Sequence, residues 1–427
     1  MSEMARAENE ISTAWAHAAR LLDEGDKLAQ HYTNLQNLVD TYRGVLSTLR
    51  RLPNEILLEI FQHTFTHLDN LDTFGNAPWL VIQVCRHWRA VALASPGFWS
   101  HFIIPGGENL QSLLMATAFP AQVERVRGGP ISIYFAADPS PHVLAMFLPL
   151  SSQWDNISLD TSLFMSPPLS DHVFPALRRL TLYYLGPEPR EVCRNDAMPA
   201  LEDLVLNLYD CGLPKAVKSS IPWSQMQKCA LRDLDSADFL WIVAQLPHAK
   251  VVIRIGNNLE APDASLMATT SVIRSLIFAH CSRNFVSDVL TSLSTPALDE
   301  FVLSDTRDTF ADYPLGERVV QFLDRSGCTL KHLRFNLHLE EQDLIAILGS
   351  PHIHSVIHLN FPRTVLPPRA LAALAVPLPN LCRLTLGGAL DEGLLLAALS
   401  TYNYPTILPL DGNLQLGELQ VILTGRS

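Results

Sequence analysis

The chain has 427 residues, of which 48% are hydrophobic and 17% are charged, and its formal net charge is −12. A chain of this length and apolar content can bury a sizeable core, so two or three folding units are expected. The negative charge and the lack of any run of Lys or Arg disfavour binding to the phosphates of nucleic acids.

The seven cysteines are scattered along the chain and never form a C-x-x-C pair. Such spacing is typical of reduced, mostly buried thiols in an intracellular protein and not of a disulfide framework. The first residues lack the apolar region of a secretory signal, and no apolar stretch reaches the roughly 18 to 20 residues of a membrane span. The sequence therefore predicts a cytoplasmic or nuclear protein that has no membrane partner.

Residues 1–50 contain no proline and repeat apolar side chains at alternating spacings of four and three. This heptad pattern predicts a long, coiled-coil-like helix whose one weak seam position is Gly25. Such a helix cannot bury its apolar seam alone. Two alternatives stay open: the helix packs back on its own chain, or it pairs with a second copy as a homodimer. The seam comprises Ala14, Ala18, Leu21, Gly25, Leu28, Tyr32, Leu35, Val39, Tyr42, Leu46 and Leu49.

Residues 51–100 predict two short apolar helices that a polar loop separates. Pro53 stands where the first helix would begin, because a missing N–H costs nothing in the first turn. The loop is predicted over residues 66–80, and one helix is predicted after it, with Val81, Val84, Cys85, Trp88, Val91 and Ala92 on one face. Two helices of this size bury little surface between themselves, so they are expected to need support from a partner or from the rest of the chain.

Residues 101–427 contain a repeated pattern, Pro-x-Leu-x-x-Leu-x-Leu, in which Phe301 replaces one leucine. Clear copies begin at Pro175, Pro199, Pro296 and Pro379, and starts are mostly about 23 to 26 residues apart. This period predicts leucine-rich repeats, in which each L-x-L is a short strand with both leucines facing inward. Weaker copies are Trp154/Ile157/Leu159, Met226/Cys229/Leu231, Ile273/Leu276/Phe278, Leu330/Leu333/Phe335 and Val356/Leu359/Phe361.

The repeats are irregular. The copy expected near Val251 is degenerate, and a short strand is predicted at Ile131–Phe135 before the first clear copy. Helix-like stretches such as Glu341–Leu348 lie between copies. The expected fold of this segment is therefore an irregular, curved α/β solenoid.

The sequence holds no nucleotide-binding or hydrolase motif and no zinc-protease motif. His63 and His67 are four residues apart on the first short helix, but no third ligand accompanies them, which favours surface histidines over zinc. His352, His354 and His358 share parity near a repeat strand, where solvent-facing polar residues are expected by default. A polar contact to a bound partner is the alternative there. We therefore expect no catalytic residue, no metal and no cofactor.

Two runs within residues 52–99 resemble the F-box family. Leu-Pro-Asn-Glu-Ile-Leu-Leu-Glu-Ile-Phe begins at Leu52, and Val-Cys-Arg-His-Trp-Arg-Ala-Val-Ala begins at Val84. The helix before them resembles the arrangement in expanded fungal F-box families, whose members also tend to end in divergent leucine-rich repeats. The resemblance implies an α/β protein with a long α-helix at 1–50, a small all-α F-box at 51–100 and a leucine-rich-repeat solenoid at 101–427.

In the F-box family, this domain binds the Skp-type adaptor of a cullin–RING ubiquitin ligase, and C-terminal repeats select a protein substrate. The resemblance thus implies a non-catalytic substrate receptor of an SCF-type ligase. The alternative is a scaffolding repeat protein with a relict F-box that self-associates through its N-terminal helix. The resemblance assigns the adaptor-binding and core face to Leu52, Pro53, Ile56, Leu57, Ile60, Phe61, Val84, Cys85, Trp88 and Val91.

Overall fold

The computed structural model of the chain describes a mixed α/β protein. Contacts divide it into two compact units, Met1–Phe98 and Trp99–Ser427. Among the helices of the described residues, none is both long enough and apolar enough to cross a membrane. The described residues are 2–46, 52–63, 77–104, 118–135, 141–160, 169, 172–183, 197–208, 212–247, 249–256, 267–304, 314–364, 367–374, 378–387, 405–409 and 419–423.

The first unit is all α-helical in its described part. A 45-residue helix, α1, comes first and is followed by three short helices and a 3-10 turn. The bounds are α1 Ser2–Leu46, α2 Asn54–His63, α3 Ala77–Val84, α4 Arg86–Ala94 and the turn Pro96–Trp99.

All described side chains of α1 are exposed. Trp15 on its surface is 73% exposed, Leu28 in the seam is 69% exposed, and Leu35 in the seam is 47% exposed. The described part of the seam is therefore exposed, and packing on the chain and pairing with a second copy both remain predictions. On the polar side, the helix is braced by an ion pair between Lys27 Nζ and Asp23 Oδ2 at 2.7 Å.

The second motif helix differs from the single helix that the sequence pattern predicts. Ala77–Leu80, predicted as the end of a loop, already belongs to α3, because Pro78 suits the first turn of a helix. The chain then breaks at Cys85, whose extended backbone (φ −159°, ψ 169°) separates α3 from α4. The rest of the predicted loop, with His67, lies outside the described residues.

In its described residues, the second unit is built on one sheet of fourteen strands. Its order is β1-β2-β3-β4-β5-β6-β7-β9-β11-β12-β13-β14-β16-β15, and neighbours from β1 to β14 are parallel. The bounds are β1 His101–Ile104, β2 Ile131–Phe135, β3 Trp154–Asp160, β4 Arg179–Tyr183, β5 Asp203–Asn207, β6 Lys228–Arg232, β7 Val251–Ile255, β9 Ser275–Ala279, β11 Glu300–Ser304, β12 His332–Asn336, β13 His358–Phe361, β14 Arg383–Leu386, β15 Pro405–Pro409 and β16 Leu419–Leu423. Two further strands, β8 Thr269–Thr270 and β10 Leu293–Ser294, form a separate parallel pair.

The strands fall on the repeated sequence pattern, and the register keeps its inward positions aligned. Leu180 of β4 pairs with Leu204 of β5, and Leu182 pairs with Leu206. These four side chains are between 0% and 1% exposed. Because side chains alternate across a strand, the residue between the two leucines lies on the opposite, solvent-facing side. Each strand therefore adds one layer to a continuous apolar core.

Short helices connect the strands. Several have capped N-termini; in the helix Ser236–Ala244, for example, the Asp235 carboxylate accepts the N–H of Asp238 at 2.7 Å. The bounds are α5 Phe119–Val126, α6 Pro141–Phe147, α7 Lys215–Ser220, α8 Ser236–Ala244, α9 Arg283–Ser292, α10 Leu315–Ser326, α11 Glu341–Leu348 and α12 Pro368–Leu374, with 3-10 turns at Leu148–Gln153, Trp223–Gln225 and Pro351–Ser355.

The degenerate copy near Val251 is a regular strand, β7, with one unusual core residue. Arg254 takes the second inward position and aligns with Leu231 of β6 and Phe278 of β9. Its side chain is 1% exposed. The guanidinium donates to the Leu234 carbonyl at 2.7 Å and lies over the Phe285 ring, 4.7 Å from its centroid. These contacts let a charged residue replace the expected leucine.

Candidate functional site

Two of the short helices, α2 and α4, share a small aromatic core. The Phe61 ring of α2 lies 5.0 Å from the Trp88 ring of α4 and 5.5 Å from the ring of Phe98. Leu57 and Val91 are buried beside them. Since Leu57 and Phe61 are four residues apart, one face of α2 supplies both core residues. This core holds α2 against α4.

The short helices α2 and α3 expose other apolar side chains. On α2, Ile56 is 43% exposed and Ile60 is 42% exposed; on α3, Leu80 is 56% exposed and Val84 is 60% exposed. Each pair has i, i+4 spacing, so each helix presents two aliphatic side chains from one of its faces. Single exposed apolar residues are ordinary on protein surfaces, but such pairs on two successive helices are typical of surfaces that contact another protein.

Cys85 organises the junction between α3 and α4. Its Sγ accepts the N–H of Trp88 at 3.5 Å and so caps the N-terminus of α4. The Arg89 Nε donates to the Ile82 carbonyl at 2.7 Å, which satisfies a free acceptor near the end of α3. The two contacts tie the end of α3, where Val84 is exposed, to the start of α4.

The structure separates the ten residues of the predicted adaptor-binding and core face into three groups. Leu57, Phe61 and Val91 are buried in the helix core. Leu52, Cys85 and Trp88 are partly exposed. The remaining four are exposed: Pro53, Ile56, Ile60 and Val84. The sequence pattern could not divide core from surface here, because apolar residues of both groups repeat at the same helical spacing.

Two residues near this site were missed by the sequence analysis. Leu80 was predicted within a loop, yet it is an exposed residue of α3; its i, i+4 spacing to Val84 after Pro78 was the available signal. Phe98 was predicted only as an aromatic for a following element. It is 1% exposed and packs on Phe61.

The three C-terminal histidines do not form one group, contrary to the parity expectation. His352 and His354 lie in the 3-10 turn before β13, and only His358 lies in the strand. The His352 Nε2 is 2.7 Å from Asp324 Oδ1, and the His354 Nδ1 is 2.9 Å from the Pro351 carbonyl oxygen. Three-residue turns of the 3-10 helix break the alternation that an extended strand would keep.

Within the described ranges, the structure contains no group of three or more His, Cys, Asp or Glu side chains that could hold a metal ion. His63 is exposed on α2, and His67 lies outside those ranges. Two buried thiols are poor nucleophiles, because burial raises the pKa of Cys229 to about 12 and that of Cys281 to about 12. At these values the thiolate form that a nucleophile or ligand requires is scarce at neutral pH.

A groove of about 490 Å³ lies at the starts of the first strands of the sheet. Its lining is polar, and opposite charges within it neutralise each other. The Arg179 Nε is 2.8 Å from Asp203 Oδ2, and the Arg178 Nε is 3.8 Å from Asp155 Oδ1. These exposed pairs give the groove a balanced charge and stabilise the sheet only weakly.

Comparison with known families identifies the helical site. A family model described as F-box-like matches residues 49–105, the part of the chain that contains α2, α3, α4 and their exposed apolar side chains. The chain carries an F-box-like domain. F-box domains are generally non-catalytic and mediate protein–protein interactions, typically with Skp-type adaptors of cullin–RING ligases.

Comparison of the whole chain with curated proteins and solved structures identifies no further family. No curated protein matches it. The solved structures that match include a protein of Bacteroides fragilis, at 17% identity over 48% of this chain and 57% of that one, with a TM-score of 0.31. The match thus spans little more than half of that protein, and a TM-score this low does not establish a shared fold.

Proposed function

We propose that the protein is a non-catalytic substrate receptor of an SCF-type ubiquitin ligase. The F-box-like domain at 51–100 docks on a Skp-type adaptor, and the unit that follows binds a target protein. The observation that carries the proposal is the exposure of Ile56, Ile60, Leu80 and Val84 on a domain whose own core is already filled by Phe61 and its neighbours. Such a receptor acts in the cytoplasm or nucleus.

The segment 101–427 suits a receptor as a leucine-rich-repeat solenoid. Three features support this assignment: strands follow one another in chain order, neighbours are parallel, and leucines at aligned positions form the core. In such an array each repeat contacts its neighbours, and the solvent-facing side of the sheet is a broad surface for a protein partner. The docking and target-binding functions therefore belong to different parts of the chain.

Adaptor docking is tested by co-purifying the full chain with a Skp-type adaptor. The double variant Ile56→Ala/Ile60→Ala removes exposed apolar surface from α2 without touching the aromatic core, so a loss of at least about tenfold in adaptor affinity is expected. Glu59→Ala, which changes an exposed residue of the same helix, is the matched control and should bind as the wild type does. A Leu52→Ala/Pro53→Ala variant tests the residues at the start of α2 in the same way.

The outcomes are separable. Absence of the adaptor from the wild-type pull-down would reject the receptor function. If the wild type binds the adaptor and the α2 double variant binds it equally well, the adaptor docks on a different surface of the protein. Circular dichroism of each variant confirms that the helices persist, because Phe61 and Leu57 remain in place.

A second function, self-association through α1, is favoured by its exposed seam. We propose that two copies pair along this helix, as a scaffolding protein with a relict F-box would also require. Leu28→Glu/Leu35→Glu places charges in the seam and should convert a dimer into a monomer, as measured by light scattering coupled to gel filtration. Asn34→Glu, on the opposite face, is the control and should leave the mass unchanged. A monomeric wild type would contradict this function and leave adaptor docking untouched.

A further inference from the structure

The solvent-facing side of the sheet changes character between β5 and β11. At the position between the two inward residues, five consecutive strands carry aliphatic side chains, and the register aligns them as neighbours. All five are partly exposed. We call this row the apolar stripe: Val205, Ala230, Ile253, Ile277 and Val302.

Polar residues lie at both ends of the stripe. Thr181 of β4 pairs with Val205 at one end, and Arg334 of β12 pairs with Val302 at the other. At strand spacings of about 4.8 Å, the stripe extends about 19 Å across the sheet. Repeat strands of this kind usually place polar residues on the solvent side, so five aligned aliphatic residues there need an explanation other than the fold.

Exposed cations lie beside the stripe. Lys228 and Arg232 are two residues before and two residues after Ala230 on β6, so both lie on the stripe's face of the sheet, one on each side. Lys250 is exposed in the turn just before β7. Within the part of the chain that the structure describes, no ion pair engages these three side chains.

The nearest acids already have partners. The Asp203 carboxylate, beside Lys228 in the register, lies 2.8 Å from the Arg179 Nε. Glu202 accepts a hydrogen bond from the Gln227 amide at 3.4 Å. Glu300, two residues before Val302 on β11, accepts a hydrogen bond from the Ser275 hydroxyl at 2.6 Å. The acids on the stripe's face thus lie at its ends, on β5 and β11, whereas Lys228 and Arg232 lie at the two edges of the part around Ala230.

We propose that the apolar stripe binds an extended segment of a target protein in which aliphatic residues are flanked by Asp or Glu. The segment would run along β6 and β7 and cross the stripe, so that its aliphatic side chains cover Ala230 and Ile253 and its acids meet Lys228, Arg232 and Lys250. Lys228 and Arg232 are four residues apart on β6, so at a rise of about 3.3 Å per residue about five residues of an extended segment reach from one cation to the other. This inference rests on the proposed receptor function for its biological meaning and names the class of target that the receptor takes.

The test uses fluorescein-labelled peptides and the full chain, with binding measured by fluorescence anisotropy. Three peptides share a Leu-Val-Gly-Val-Leu core and differ in having Asp-Asp, Ser-Ser or Lys-Lys on both sides. A fourth peptide joins Asp-Asp flanks to a Gly-Ser core. We expect the acidic peptide with the aliphatic core to bind about tenfold more tightly than the lysine peptide, and the Gly-Ser peptide to bind weakly.

Two variants locate the binding. Lys228→Glu/Arg232→Glu should make the lysine peptide bind more tightly than the acidic peptide, whereas Arg383→Glu should leave the order of their affinities unchanged. Arg383 is the matched control because it occupies the same first position of its strand and is also exposed, but lies beyond the stripe. Ile253→Thr keeps a β-branched residue in the strand and should weaken every peptide that has the aliphatic core.

Binding that is equal for all flanks, absent for all peptides, or unchanged by the double reversal would overturn the proposal. Its failure is distinguishable from failure of the receptor function, because adaptor co-purification is measured on the same preparations. If the protein still binds the adaptor but shows no preference among the peptides, only the proposed role of the stripe is rejected. If it prefers the acidic peptide but does not bind the adaptor, the stripe remains a binding surface and the ligase role is rejected.

Discussion

Arg254 shows how one residue can depart from a repeat pattern and still be accommodated. It occupies an aligned core position at 1% exposure, where its carbonyl-directed hydrogen bonds and the Phe285 ring replace the contacts of a leucine. The side chain links β7 to the loop after β6 and to α9. A buried arginine of this kind fills volume with its stem and satisfies backbone carbonyls with its head.

Arg254→Ala should lower the free energy of unfolding by about 2–4 kcal/mol, because it leaves a cavity and removes the donor to the Leu234 carbonyl. Arg254→Met, which keeps most of the volume, should cost clearly less. Urea unfolding followed by circular dichroism measures both values. Equal stability of Arg254→Ala and the wild type would show that neither the packing nor the hydrogen bond contributes.

His358 gives the sheet a pH-dependent contact. Its ring lies 4.7 Å from that of His332, on the adjacent strand. Burial, the neighbouring His332 and the Arg383 guanidinium together hold the pKa of His358 below its ordinary value. The neutral form is therefore the one that the folded state prefers.

Since the pKa of His358 in the unfolded chain is higher than in the folded one, the unfolded state takes up this proton first as the pH falls. Stability from His358 is thus present above about pH 6.5 and is lost as the pH decreases toward the folded pKa. His358→Gln should make the drop in Tm between about pH 7.5 and about pH 5.5 smaller than in the wild type. His354→Gln, at an exposed turn position, is the control. A drop of the same size in His358→Gln would contradict the assignment.

Among the elements, the helices of successive repeats are joined by carboxylates, of which that of Asp343 is buried and that of Asp238 is partly exposed. The Asp343 carboxylate of α11 accepts the Gly316 N–H at the start of α10, at 2.7 Å. The approach is close: a Cβ on Gly316 would lie 2.5 Å from the Asp343 Cα. Asp238 of α8 makes the same kind of contact to the Leu213 N–H at 2.7 Å. Each carboxylate supplies an acceptor for an N–H group near the start of the preceding repeat's helix.

Asp343→Ala should lower the free energy of unfolding by about 1–3 kcal/mol, since it leaves the Gly316 N–H buried without its acceptor. Asp343→Asn keeps an acceptor oxygen and removes the charge, and it should cost less. Burial raises the pKa of Asp343, which means that the buried charge itself lowers the stability of the wild type. Removing that charge therefore offsets part of what the variant loses. Glu341→Ala, an exposed acid of the same helix, is the control in thermal unfolding. A Glu341→Ala effect as large as that of Asp343→Ala would reject the linkage.

At the scale of the whole molecule, the long parallel sheet ends in an antiparallel pair. Strand β14 pairs with β16, and β15 pairs with the other edge of β16. The last parallel strand therefore does not present a free edge to solvent. Open edges of long sheets invite pairing with other chains, which proteins prevent by covering them.

Removal of residues 405–427 should expose the edge of β14, lower the Tm by about 2–4 °C and increase light scattering at the same protein concentration. Removal of residues 424–427 alone keeps both strands and serves as the control. A truncated protein that scatters no more light than the control would show that β14 is protected in another way.

The sequence by itself determined the strands of the second unit that follow the leucine pattern, and the presence of the F-box-like motif. Strands such as β4 and β5 and helices such as α11 lie where the leucine pattern places them, because the period of side chains along a strand or helix is a local property of the chain. The motif is likewise local, since its residue types and spacing are contained within residues 52–92.

Only the tertiary structure decided which apolar residues of the motif are core and which are surface. Phe61 and Ile60 are neighbours in sequence and equally apolar, yet one is 1% and the other 42% exposed, because α4 packs on only one side of α2. The accommodation of Arg254 and the alignment of the apolar stripe were decided in the same way. Each depends on side chains from other strands and helices, which the local spacing of residues does not encode.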